Sequence, residues 1–227
     1  MGMPETQLRT VPGLSKLKIL APSLLAVLCF AVPVGTFDDD SGVAETRKIG
    51  HVAFNSVSGE YAVTGAGDIG GTSDGFHYVW KKMTGDVVIG ADIRFTGNAA
   101  AGDRKAALMI RQTLDPRSTY AAAVLRGDGL AAFQYRPDTG AGSKSTEVNA
   151  KADLNSTVYV SLERRGDTFT MMAGKRLKMG GAIPFSSPVT VTMNGPVYVG
   201  LAMASSDSAA QETAVFSNVY IQPLRAQ

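Results

Sequence analysis

Five side chains combine chemistry with an unexpected setting: His77, Trp80, Arg111, Gln134 and Arg136. Each sits inside an apolar or aromatic run, where a half-buried strand face has to account for it. Together they supply an aromatic face, two guanidinium forks, an amide and an imidazole. That set suits holding a sugar without breaking a bond, because aromatic rings lie under C–H patches and bidentate groups reach hydroxyls. Plainer roles exist for each. Trp80 shares parity with Phe76 and Tyr78 and fits a core, Arg111 and Arg136 can pair with acids on neighbouring strands, and His77 can face solvent. Trp80 is the discriminator: accessible on a sugar platform, buried in a scaffold.

Bond-making chemistry is poorly provided for. His51 and His77 are the only histidines, and no serine occupies a Gly-x-Ser-x-Gly turn, which argues against a hydrolytic triad. Sandwich glycosidases need two flanking carboxylates, often at i and i+2 on one strand face. The only such pair is Asp38 and Asp40, ahead of any expected strand; carboxylates from separate strands remain open. Gly65-Ala66-Gly67-Asp68-Ile69-Gly70-Gly71 follows a strand but opens no helix, so it reads as an inter-strand loop rather than a phosphate cradle. Asp38–Asp40 has the oxygen ligands for calcium, although a solvated tail is the simpler reading, and no cofactor is expected.

Strands must position these groups. Phe76, Tyr78 and Trp80 alternate with His77, Val79 and Lys81, a period of two. Further strands are expected over 86–95, 105–113, 118–126, 130–136, 157–164, 167–173, 196–205 and 213–222, with weaker ones near 52–55, 60–65 and 188–193. Asp115-Pro116, Gly127-Asp128-Gly129 and Arg165-Gly166-Asp167 supply turn chemistry between them. Arg126-Gly127-Asp128 spells an adhesion tripeptide, but its place between two strands makes it a hairpin turn. Residues 138–156 form one long polar interval, expected as a surface loop with a short strand inside. The 227 residues hold 25 glycines and 10 prolines and show no helical stripe beyond residue 50. About a dozen antiparallel strands without crossover helices mean an all-β, two-sheet sandwich or jelly roll over 51–224.

The first 36 residues read differently. Arg9, Lys16 and Lys18 precede an uncharged apolar stretch from Ile19 to Gly35, and three aspartates follow. This is the layout of a secretory signal, with cleavage after Ala31 or after Thr36. Pro22 and Pro33 interrupt the stretch, which is short for a spanning helix, so membrane attachment is expected only through an uncleaved segment. Residues 37–50 are expected as a flexible acidic start. The segment carries three basic residues, one acid and the sole cysteine, which leaves 19 charges of each sign for the remainder. A neutral, cysteine-free domain excludes disulfides and Cys-ligated zinc and lacks the basic patch of a nucleic-acid partner. Asn155-Ser156-Thr157 is a formal glycosylation sequon.

Several segments together resemble a known family. They are Gly67-Asp68-Ile69, Ser73 to Asp86 (SDGFHYVWKKMTGD), Lys105 to Asp115 (KAALMIRQTLD), Phe133 to Arg136 (FQYR), Arg165 to Thr170 (RGDTFT) and Val197 to Ser205 (VYVGLAMAS). Over about residues 57–222 the chain resembles bacterial concanavalin A-like sandwiches of the DUF1349 kind. These are related to the region preceding the β-propeller in some Tol-type biopolymer-transporter proteins. The resemblance implies an accessory or carbohydrate-binding-type module, here expected to stand without a propeller. One departure is clear: related sequences carry a Ser-x-Asp-Gly-x-x-Trp hairpin after the Phe-Thr strand, and Met172 to Leu177 keeps neither its acid nor its aromatic.

Three functional classes follow. The first is an exported non-catalytic module that binds polysaccharide on one sheet face through His77, Trp80, Arg111, Gln134 and Arg136. The second is a structural or protein-interaction domain of the cell envelope. The third is a glycoside hydrolase or lyase with dispersed carboxylates.

Overall fold

The computed structural model describes residues 34–44, 50–97, 102–149, 156–174 and 186–225. The chain divides into a leading unit, Met1–Phe30, and a second unit, Ala31–Gln227, to which all described residues belong. Apart from residues 34–36 the expected export segment lies outside the described residues, as does Asn155 of the sequon.

The described strands run in chain order as β1 (Asp39–Val43), β2 (Gly50–Asn55), β3 (Glu60–Gly67), β4 (Phe76–Met83), β5 (Val87–Phe95), β6 (Lys105–Arg111) and β7 (Tyr120–Arg126). They continue as β8 (Ala131–Arg136), β9 (Lys144–Asn149), β10 (Val158–Arg165), β11 (Thr168–Gly174), β12 (Val189–Thr190), β13 (Val197–Ala204) and β14 (Asp207–Pro223). Two antiparallel seven-stranded sheets result. One has the order β1-β4-β13-β6-β7-β8-β9 and the other β12-β11-β10-β5-β14-β3-β2. The expected all-β sandwich is the observed fold. The short strand expected within 138–156 is β9. Arg126-Gly127-Asp128 belongs to the β7–β8 hairpin, closed by the amide of Arg126 donating to the Leu130 carbonyl at 2.8 Å.

One expectation fails at the start of the domain. Residues 39–43 are not a flexible tail but an edge strand, pairing Asp39 with Trp80 and Val43 with Phe76. Phe37 ahead of it is buried and meets the Tyr61 ring edge-on at 5.2 Å. The acidic run tolerates this because each carboxylate finds its own polar partner. Asp38 accepts from the Lys82 amide at 2.9 Å, Asp39 from the Asp40 amide at 2.8 Å, and Asp40 lies 2.8 Å from His77 Nε2. Among the described residues no three metal-ligating side chains gather.

Between the sheets, Leu108, Ile110, Phe133 and Leu201 interdigitate with Val63, Ile89, Leu162 and Phe216. Alternate residues of the first sheet point the other way and form a second buried cluster of Phe76, Tyr78, Met109 and Tyr120 with Ile69. Strands β4, β6 and β7 are therefore covered on both faces. This is why their sequences read as near-continuous apolar runs instead of strict alternation.

Candidate functional site

The outer face of the first sheet is crossed by residues 68–75, the connection from β3 to β4. Gly67 begins the crossing at φ +83, and a Cβ there would run into the Gly75 carbonyl. Only glycine meets both demands. The Gly75 amide donates to the Asp68 carbonyl at 2.6 Å, closing the strap on itself. Ile69 plugs into the face, and Gln134 Nε2 donates to its carbonyl at 2.8 Å and to Tyr120 Oη at 2.7 Å.

Asp74 is the strap's electrostatic anchor. Arg136 meets it bidentately, Nη1 to Oδ2 at 2.8 Å and Nη2 to Oδ1 at 2.6 Å, with both side chains fully buried. Arg111 Nη2 stands 3.4 Å from Oδ2 and donates to the Asp115 carbonyl, while Nε donates to the Thr113 carbonyl and Nη1 to Met109 Sδ. Carbonyls of Pro116, Ser118, Gly70 and Ala141 take further guanidinium hydrogens of Arg136. Burial lowers the Arg111 pKa, opposed by the charge of Asp74. Burial likewise raises the Tyr78 and Tyr120 phenols well above their usual range. Two cations on one carboxylate, with most other donors on backbone carbonyls, make a satisfied scaffold that leaves little for a ligand.

Beside the strap the same face opens into a cavity of about 400 Å³, within the range of small-molecule sites. Its floor takes side chains from three neighbouring strands: Lys105 of β6, Arg126 of β7 and Gln134 of β8. Asp68 and Asp103 stand at the rim, and Ser143, Ser145 and Ser206 add hydroxyls. Lys105 Nζ donates to Asp68 Oδ1 at 2.7 Å and to the Ile69 carbonyl at 2.8 Å, while Arg126 Nη2 donates to Asp103 Oδ1 at 3.2 Å. Ser206 Oγ hydrogen-bonds the Asp103 carbonyl. The cavity therefore presents closely spaced donors and acceptors of both signs, held by a rigid sheet.

Of the five residues singled out by sequence, Gln134 alone lines this cavity. Arg111 and Arg136 are brought together, but beneath the strap and out of reach of solvent. His77 is fully buried on the opposite side of β4, against Asp40 and close to Gly50 of β2. Trp80 keeps the outer face and is half-buried, packed edge-on to Tyr198 at 4.9 Å with Nε1 donating to Ser41 Oγ at 3.2 Å. It occupies the same cross-sheet row as Gln134, through Gly200, Met109 and Ala122. Four strand spacings put the two roughly 19 Å apart. Lys105, Arg126, Asp68 and Asp103 were not among the expected site residues. A signal did exist for the two cations: Lys105 is six residues from Arg111 and Arg126 six from Tyr120, so parity places each on the same face of its strand as that residue.

No protein-family model and no curated sequence matches the chain. Solved structures do. A functionally unknown protein from Saccharomyces cerevisiae is similar with a TM-score of 0.58 at 10% identity, over 82% of this chain and 97% of that one. The carbohydrate-binding module CBM66 from Bacillus subtilis is similar with a TM-score of 0.54 at 20% identity, over 82% and 97%. The lectin UEA-II, solved in complex with galactose, is similar with a TM-score of 0.50 at 10% identity, over 82% and 99%. At these identities the likeness is one of fold, a concanavalin A-like sandwich.

Proposed function

We propose that this concanavalin A-like sandwich is an exported, non-catalytic module that binds a carbohydrate in the cavity beside the 68–75 strap. The polar cavity itself carries the reading. Sugars present many hydroxyls on a small rigid frame, and Lys105, Arg126, Gln134, the serines and the two aspartates offer a matching density of donors and acceptors. Export is inferred from the basic, then apolar, then acidic layout of the first 40 residues. Kinship with DUF1349-like and Tol-associated modules is inferred from the segment resemblance. Binding without catalysis is favoured because each cavity carboxylate is held against a cation, whereas a glycosidase acid needs surroundings that keep its proton on at neutral pH.

A structural domain of the envelope is the second reading, favoured by the way Arg111, Arg136 and His77 are consumed inside the fold. Calorimetric titration of the purified protein with a panel of plant, fungal and bacterial polysaccharides separates the two. We expect saturable binding that Ser145→Trp, which fills the cavity from edge strand β9, abolishes without lowering the melting temperature. A flat response across the panel sinks the glycan reading and leaves the scaffold.

A further inference from the structure

The charges in the cavity are layered by depth. Lys105 and Arg126 are directly paired positions on β6 and β7, and both line the floor. Like charges opposed across neighbouring strands repel, and sheets avoid them unless something compensates. Here the compensation comes from loops. Asp68 serves Lys105 and Asp103 serves Arg126, with Asp128 outside the cavity a further 3.7 Å contact of Arg126. The two cavity acids are far more exposed than their partners: 53% against 17% and 81% against 34%. Cations thus form the enclosed floor and carboxylates the solvated rim. One floor donor is also unspent: Arg126 Nε is shut off from solvent and has no hydrogen-bond partner among the described residues.

A neutral sugar leaves this arrangement as it is. An oxyanion satisfies it, because it can take Lys105 Nζ and the Arg126 guanidinium at once while Asp68 and Asp103 swing into water. We propose that the cavity recognises the anionic substituent of an acidic glycan, a uronate carboxylate or a sulfate ester, through Lys105 and Arg126, with Asp68 and Asp103 as displaceable counter-ions. The proposal rests on the carbohydrate reading above and names the class of sugar. Rim carboxylates that hold the floor cations in place before binding also keep both side chains ordered, which lowers the entropy cost of capture.

Matched polymer pairs test it on the unaltered protein. Polygalacturonate against its fully methyl-esterified form isolates the carboxylate, and dextran sulfate against dextran isolates the sulfate. Calorimetry should show binding to at least one charged member, with affinity falling by about tenfold or more when the charge is masked, as expected for losing charge-assisted hydrogen bonds. Lys105→Gln and Arg126→Gln should each reproduce that loss, whereas Lys82→Gln, an exposed cation four strands from β8 on the same face, should not. Equal or tighter binding of the masked partners overturns the anion assignment while leaving carbohydrate binding intact. Equal losses in all three variants mean general polyanion attraction and overturn it too. Binding of neither charged nor neutral polymers, in these pairs or across the wider panel, removes the carbohydrate reading itself.

Discussion

Arg136 and Asp74 meet as a bidentate ion pair with neither side chain exposed to solvent, 62 residues apart in the chain. One residue belongs to a strand of the first sheet and the other to the strap across it, so the pair fastens a loop to a face. Arg111 approaches the same carboxylate from β6. The anchor accordingly gathers two strands and the strap at one point.

Removing the carboxylate leaves two buried cations without their counter-charge. Asp74→Ala should cost about 3–5 kcal/mol, the range for breaking a buried pair by deleting one member. Urea unfolding of the variant against the parent measures it. A loss below about 1 kcal/mol, the level of an exposed ion pair, would mean that the strap is not held there.

The neck of the strap should be equally intolerant. Gly67→Ala places a Cβ against the Gly75 carbonyl and forces a left-handed backbone on alanine. Strain of this kind costs on the order of 1–3 kcal/mol. Hydrogen exchange should show the Gly75 and Gly70 amides, bonded to Asp68 and Asp74, losing protection before those of β6 and β7.

Alkali should unfold the protein through its buried phenols. Tyr78 Oη donates to the carbonyls of Met109 and Tyr198, and burial raises its pKa, as it does that of Tyr120. The unfolded chain releases these protons near pH 10, while the folded chain retains them. The folded state then binds more protons, so this contribution is complete below about pH 10 and declines as pH rises above it. The tyrosinate absorbance of these two should appear together with loss of β-sheet circular dichroism. Ionisation of every tyrosine ahead of unfolding would contradict the burial.

Trp80 should be a silent bystander to binding. It is the sole tryptophan, and roughly 19 Å of sheet separates it from Gln134. Its emission should stay unchanged on titration with a bound glycan and shift to the red only on denaturation. A large change on binding would move the site to the Trp80–Tyr198 end of the face.

The fold was legible because its signals are local. Alternation in 76–81, Gly-Asp-Gly at 127–129 and Arg-Gly-Asp at 165–167 mark strands and turns within a few residues. The same logic misjudged 39–43 within the expected flexible start, where three consecutive aspartates looked solvated. The groups that settle Asp38 and Asp40 on an edge strand, the Lys82 amide and the His77 ring, lie some forty residues away.

The site was legible only in part. Period-two parity puts Gln134 and Arg136 on one face of their strand, and the pairing register adds Trp80 and Arg111 to that face. Parity says nothing of what lies over that face. Residues 65–71 read as a glycine-rich inter-strand loop, yet the strap 68–75, by crossing the sheet, turns two guanidinium groups from candidate ligand contacts into buried anchors. It also leaves the cavity to Lys105 and Arg126, the first and last residues of the expected strands 105–113 and 118–126.

By itself, then, the amino-acid sequence determined the all-β class, the positions of strands and turns and the neutral, cysteine-free character of the domain, because these depend on composition and on contacts between near neighbours in the chain. Tertiary structure alone decided which polar groups are buried and which meet solvent. That outcome depends on where one strap lands and on which distant charges it brings together, and no local spacing encodes it.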